Sequence, residues 1–113
     1  MPITFHKVIS AWGKCMNDKD SSEIQELLAD DFVWHSAVPE QRAPADDKAD
    51  KAETIEFTLS ADIRIGDYST IYDGNDVVSG THSATIDGTE KVVFCQGLLT
   101  DDGTKVKSWR HLI

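Results

Sequence analysis

The chain has 113 residues, of which twenty are acidic and eleven basic, for a formal charge of −9 at neutral pH. That balance repels a phosphate backbone and supplies no basic stripe, so nucleic acid is excluded as a partner. An apolar fraction of 40% with three Trp, four Phe and two Tyr supports a packed core without disulfides or structural metal, and the length fits one domain over residues 1–113. No apolar run approaches the ~20 residues of a spanning helix, and the start, Met1 to Lys7, has no charged region followed by an apolar stretch, so a cytoplasmic protein without membrane contact is expected. Cys15 and Cys95 form no Cys-x-x-Cys pair and are expected to be free thiols.

In chain order, Phe5, Val8, Ile9, Trp12 and Met16 recur at steps of three and four and predict a helix over about 4–18. Asp20-Ser21-Ser22-Glu23 then offers capping side chains for a short second helix ending near Ala29, with Gln25 as a capping-box partner of Ser22. Asp31 to Ser36 is aromatic and β-branched and reads as a strand. Residues 37–47, with two Pro, read as a loop, and Lys48 to Ser60 as a third helix. From Ile63 onward, β-branched and aromatic runs are divided by Asp73-Gly74-Asn75-Asp76, Asp87-Gly88 and Asp101-Asp102-Gly103. These turns predict four strands, about 63–72, 76–86, 90–100 and 104–113, in an antiparallel meander. Helices first and strands afterwards indicate an α+β fold with helices on one sheet face.

This order resembles the nuclear-transport-factor-two-like superfamily, in particular its SnoaL-like and ketosteroid-isomerase-like branch. The stretch from Trp12-Gly13-Lys14-Cys15 through Leu28-Ala29-Asp30-Asp31-Phe32-Val33-Trp34 carries the likeness, together with Asp101-Asp102-Gly103-Thr104 leading to Ser108-Trp109-Arg110. The resemblance implies a cone-shaped, curved antiparallel sheet that encloses a pocket with three N-terminal helices, the cystatin-like or SnoaL-like arrangement. It also implies a homodimer, in which a second copy covers the outer sheet face at Phe94, Gln96, Leu98, Arg110 and Leu112. Ketosteroid isomerases carry a Tyr, an Asp base and a protonated Asp at positions that fall here on Trp12, Ser36 and Cys95. None of these three can do that work: indole lacks the phenol's acidity, a lone Ser is no proton base, and a buried thiol is a weak donor.

Strand alternation puts Phe32, Trp34 and Ser36 on one face and Val33 and His35 on the other. The resemblance makes the first set inward. Alternation likewise groups Lys107, Trp109, His111 and Ile113 in the last strand, and Val93, Cys95, Gly97 and Leu99 in its neighbour. Trp12, Phe32, Trp34, Ser36, Cys95 and Trp109 are therefore the candidate pocket residues, although large apolar side chains equally serve as plain core. His82 and His111 are the candidate proton-transfer groups, because imidazole titrates near neutral pH. His6 and His35 rank below them, His35 because its parity points outward.

The four His are scattered without His-x-His or His-x-x-x-His spacing, so no metal is expected. No Gly-rich phosphate loop or Gly-x-Ser-x-Gly elbow occurs, so no cofactor is expected and hydrolase chemistry is disfavoured. Two function classes stay open. One is a pocket protein for a small apolar molecule, with acid/base isomerase, cyclase or dehydratase chemistry; the other is a non-catalytic binding or dimerisation module.

Overall fold

The computed structural model describes residues 3–36 and 48–112, with the backbone alone of Ser36 and Leu112; the loop expected over 37–47 and the face assigned to Ile113 lie outside the described residues. The elements are α1 (Phe5–Asp18), α2 (Ser22–Leu27), β1 (Leu28–Ser36), β2 (Lys48–Asp50), α3 (Lys51–Ser60), β3 (Ile63–Asp73), β4 (Val77–Ile86), β5 (Thr89–Leu99) and β6 (Val106–Leu112). They build an α+β fold around one curved, unclosed six-stranded sheet of order β2-β1-β6-β5-β4-β3.

Helix α1 starts where Thr4 Oγ1 accepts the Lys7 N–H at 3.2 Å; it buries Phe5, Val8, Ile9 and Trp12 of the face expected from the three-and-four spacing, together with Ala11 and Cys15, while Met16 is half-buried. Its far end is pinned to β3 by Asn17, whose Nδ2 donates to the Ile65 carbonyl while its Oδ1 accepts the Ile65 N–H, each at 2.9 Å. This amide clamp sits at a bulge, because the register of β3 on β4 shifts between Ile65 and Tyr68.

Two boundaries differ from the sequence reading, each because strand pairing outweighs local propensity. The second helix stops at Leu27, since Leu28 turns extended and pairs with Val106. Lys48 to Asp50, expected to open the third helix, instead pair antiparallel with Val33 to His35. The helix begins at Lys51 behind a capping box, with Asp50 accepting the Glu53 N–H at 2.9 Å and the Glu53 carboxylate accepting the Asp50 N–H at 3.1 Å. Strands β3 to β6 form the expected meander, but β6 then lies parallel to β1, so the sheet is not wholly antiparallel.

The β4–β5 hairpin turns on Asp87 and Gly88, both at positive φ (51° and 79°), the conformation that a two-residue primed turn needs. Before β6, the Asp102 carboxylate accepts from Thr100 Oγ1, Thr104 Oγ1 and Thr104 N at 2.7, 2.8 and 3.1 Å, which lowers its pKa to about 2. This Asx-type turn delays the last strand from residue 104 to Val106. A register shift between Leu98 and Leu99 opposite β6 then leaves Lys107 exposed and Val106 buried, so the inward face expected of Lys107 is corrected. From Ser108 to His111 the expected parity holds.

The core fills the concave side of the sheet beneath α1 and α3, and two glycines set its closest approaches. A Cβ on Gly80 would lie 2.4 Å from the Phe5 ring, and one on Gly97 would lie 2.6 Å from the Trp109 ring. Their absent side chains let Phe5 stack on Trp109, with centroids 6.0 Å apart and planes 10° apart.

Candidate functional site

Cross-strand pairing fixes which side chains share the concave face. Ala84 is opposite Lys91, His82 opposite Val93, Cys95 opposite both Gly80 and His111, and Gly97 opposite Trp109, which is itself beside Trp34. Directly paired residues point to the same side of a sheet, so these form successive rows across β4, β5, β6 and β1.

Between these rows and the helices lies a cavity of about 280 Å³. Its floor is buried and mostly apolar: Trp12, Val93, Cys95 and Trp109, with Ala84 and His82 beside them. Helix α3 contributes Thr54, Phe57 and Thr58 from one face, and Phe57, at 55% exposed, stands with the exposed Lys91 at the mouth. Trp12 and Trp109 meet at a tilt of 59° with centroids 6.4 Å apart, and Trp34 lies 6.3 Å from Phe57.

Of the residues singled out by sequence, Trp12, Trp34, Cys95, Trp109, His82 and His111 all border this one space. Phe32 does not: it is 1% exposed and part of the core, one pleat nearer α2, where helix packing has already filled the volume. The side chain of Ser36 lies outside the described residues. His6 is exposed on α1 against Tyr68, away from the cavity, and His35 is not among the cavity residues. The sequence reading passed over Thr54, Phe57, Thr58 and Lys91. Their signal was present: 54, 57 and 58 recur at helical spacing, and Lys91 keeps the parity of Val93 and Cys95.

The titratable groups have distinct environments. His82 Nδ1 lies 3.0 Å from the Ser83 carbonyl oxygen. A carbonyl only accepts, so Nδ1 carries the proton and Nε2 holds the lone pair of the neutral ring. Burial pushes the His82 pKa below its ordinary value, and the Ser83 carbonyl opposes this more weakly. His111 stands edge-on to the Trp34 ring, 4.7 Å between centroids and 85° between planes. Burial raises the Cys95 thiol to about 12, against a smaller opposing pull from the Trp109 indole N–H, so it is neither an acid nor a nucleophile near neutrality. Trp12 Nε1–H is buried and has no hydrogen-bond partner among the described residues.

The arrangement offers a mostly apolar, partly open space whose buried His82 imidazole has no partner for its basic Nε2 among the described residues. Imidazole of that kind can take a proton from a C–H acidified by a neighbouring carbonyl and return it elsewhere, without covalent chemistry. A second, open depression of about 780 Å³ lies on the other face of α3, bordered by Asp30, Asp50, Lys51 and Glu56. Its charged groups are solvated and partly spent on the helix cap and a loose Lys51–Asp30 pair at 3.9 Å, so it offers no comparable chemistry.

No family profile and no curated protein matches the chain. Solved structures do. An NTF2-like protein from Anabaena variabilis superposes with a TM-score of 0.70 at 14% identity, over 94% of this chain and 83% of that one. A candidate isomerase from Rhodopseudomonas palustris gives 0.69 at 19% identity, over 95% and 86%. IdmH, a candidate polyketide cyclase from Streptomyces antibioticus, gives 0.67 at 18% identity, over 94% and 88%. The fold is that of the NTF2-like, SnoaL-like and ketosteroid-isomerase-like proteins.

Proposed function

We propose that this chain binds a small, mainly apolar metabolite in the concave cavity and transfers a proton on it, in an isomerisation, cyclisation or dehydration. The observation that carries this reading is a buried imidazole, with Nδ1 committed to the backbone and Nε2 uncommitted, on the wall of an otherwise apolar space. His82 is the base in this reading, and His111, in the next row on β6 opposite Cys95, the second proton carrier. Trp12, Trp34, Cys95 and Trp109 form the wall that excludes water. A cavity of about 280 Å³ falls just under the ~300–1,000 Å³ of sites for drug-sized ligands, which points to a smaller molecule. The candidate isomerase and cyclase among the structural neighbours fit this class of chemistry.

The test is a turnover screen of enones, lactones and polyketide-like compounds, followed by His82→Gln. Loss of turnover with retained binding supports the assignment. Turnover that persists after both His82→Ala and His111→Ala overturns it.

A second reading, a non-catalytic binding or dimerisation module, is favoured by the convex face, where Val92 is 69% and Phe94 41% exposed. In either case the protein acts as a homodimer that covers this face, at the positions of Phe94, Gln96, Leu98, Arg110 and Leu112. Light scattering that gives a mass near 12.5 kDa at micromolar concentration would remove the dimer. The free, buried Cys15 and Cys95 suit a reducing compartment, in keeping with a cytoplasmic protein. No helix among the described residues is long and apolar enough to cross a membrane.

A further inference from the structure

The chain carries twenty carboxylate side chains, yet none of them lines the cavity among the described residues. Most of the polar groups on its wall are already engaged. Thr54 and Thr58 each donate their hydroxyl back along α3, to the Asp50 and Thr54 carbonyls, at 2.7 Å. The Trp109 indole N–H is turned to the Cys95 sulfur, and His82 Nδ1–H to Ser83. Among the described residues, the wall groups without a hydrogen-bond or ion-pair partner are the Trp12 N–H in the floor, His82 Nε2 and the Lys91 ammonium at the mouth. Lys91 takes part in neither of the two ion pairs among the described residues, Lys14–Glu23 and Lys51–Asp30.

The placement of Lys91 follows from register. It lies opposite Ala84, two residues along β5 from the Val93 that faces His82, so His82 and Lys91 occupy diagonal positions on the same face. Such positions are about 7–8 Å apart, within reach of one long side chain or of a small group lodged between them. The aliphatic stem lines the apolar wall while the charged end reaches water, the usual way a lysine tolerates an inward row. An acidic chain repels anions at long range, so an anion that enters here needs a local cation, and Lys91 is placed to supply it.

Resting on the reading of the cavity as a ligand site, we infer that the ligand carries a carboxylate on its apolar body, and that Lys91 pairs with this group at the mouth while the body fills the space beneath. His82 then faces the part of the ligand next to the acid group. Lys91 is thus a specificity residue: it selects small apolar acids over their neutral analogues.

The experiment compares matched acid and amide probes, benzoate with benzamide, cinnamate with cinnamamide and 1-naphthoate with 1-naphthamide, by quenching of tryptophan fluorescence. The natural chain should bind the acids about threefold to tenfold more tightly than the amides, the range for one partly solvated charge pair. Lys91→Met keeps the stem and removes the charge, and it should bring the ratio to one or below; Lys91→Arg should restore the preference. Lys91 is exposed, so both variants should fold, as circular dichroism will show. Equal binding of acid and amide by the natural chain, or a preference unchanged in Lys91→Met, overturns the inference and leaves the apolar-site reading standing. If no probe binds at millimolar concentration, the site reading fails and the inference falls with it.

Discussion

Val92 and Val93 are adjacent in sequence and opposite in environment, the first 69% exposed on the convex face and the second 2% exposed on the cavity wall. The contrast runs the length of β5. Cys95, Gly97 and Leu99 are buried under the helices, while Phe94 faces outward and is 41% exposed. One strand therefore serves two surfaces with different tasks: the concave side is packed and holds the titratable chemistry, and the convex side keeps apolar groups in water. The difference suggests that ligand contact and self-association can be altered separately, since alternation on a strand insulates one face from the other.

The largest expected effect lies on the concave side. Trp109→Ala removes a ring that packs on Phe5, Trp12 and the backbone at Gly97, and should cost about 3–5 kcal/mol of stability, read as a lower urea midpoint. If the variant loses less than about 1 kcal/mol, the concave side is not the packed core described above. Next in size is Gly97→Ala. Its new Cβ would sit 2.6 Å from the Trp109 ring, and the overpacking should cost about 1–3 kcal/mol; an unchanged midpoint would mean that the ring moves aside freely.

A smaller effect comes from His82. Burial depresses its folded-state pKa below the ordinary 6.5, so as pH falls through the unfolded value the unfolded chain takes up the proton first. The neutral ring's contribution is complete above that pH and is lost as pH drops toward the folded value. His82→Gln should flatten that part of the stability profile, and an identical slope in the variant would place the titration elsewhere. Cys95 acts at the other end: its thiol is held up to about 12, so stability should fall as pH rises above the ordinary value of 9.0. The smallest effect on folding is expected on the convex face. Phe94→Asp should shift monomer stability by no more than about 0.5 kcal/mol while abolishing the proposed dimer, as sedimentation velocity would detect. A dimer that survives the change would locate self-association on another surface.

How much of this was legible in the sequence depended on whether the signal was local. The buried face of α1 follows from its own spacing, and the primed hairpin turn from Asp87-Gly88. The parallel seating of β6 against β1 could not be read, because no local pattern records which distant strand a segment will meet. That same pairing shortened the second helix at Leu27, and pairing with β1 took Lys48 to Asp50 out of the third. For the cavity, parity grouped the residues of each strand and the family resemblance turned the Trp34, Cys95 and Trp109 sets inward, but neither could tell Phe32, sealed in the core, from Trp34 one pleat further along the same strand. The contribution of α3 was missed for a related reason. Thr54 and Thr58 are only weakly apolar and do not mark a buried face by composition, yet their hydroxyls are satisfied within the helix and their methyl sides can line an apolar wall.

The most direct measurement is methyl NMR of Val92 and Val93 while a small apolar probe such as 1-naphthol is titrated in, followed by dilution of the protein alone. The Val93 methyls should shift with the probe and ignore dilution, and the Val92 methyls should do the reverse. Probe-dependent shifts at Val92 with Val93 unmoved would contradict the assignment of the concave cavity as the ligand site.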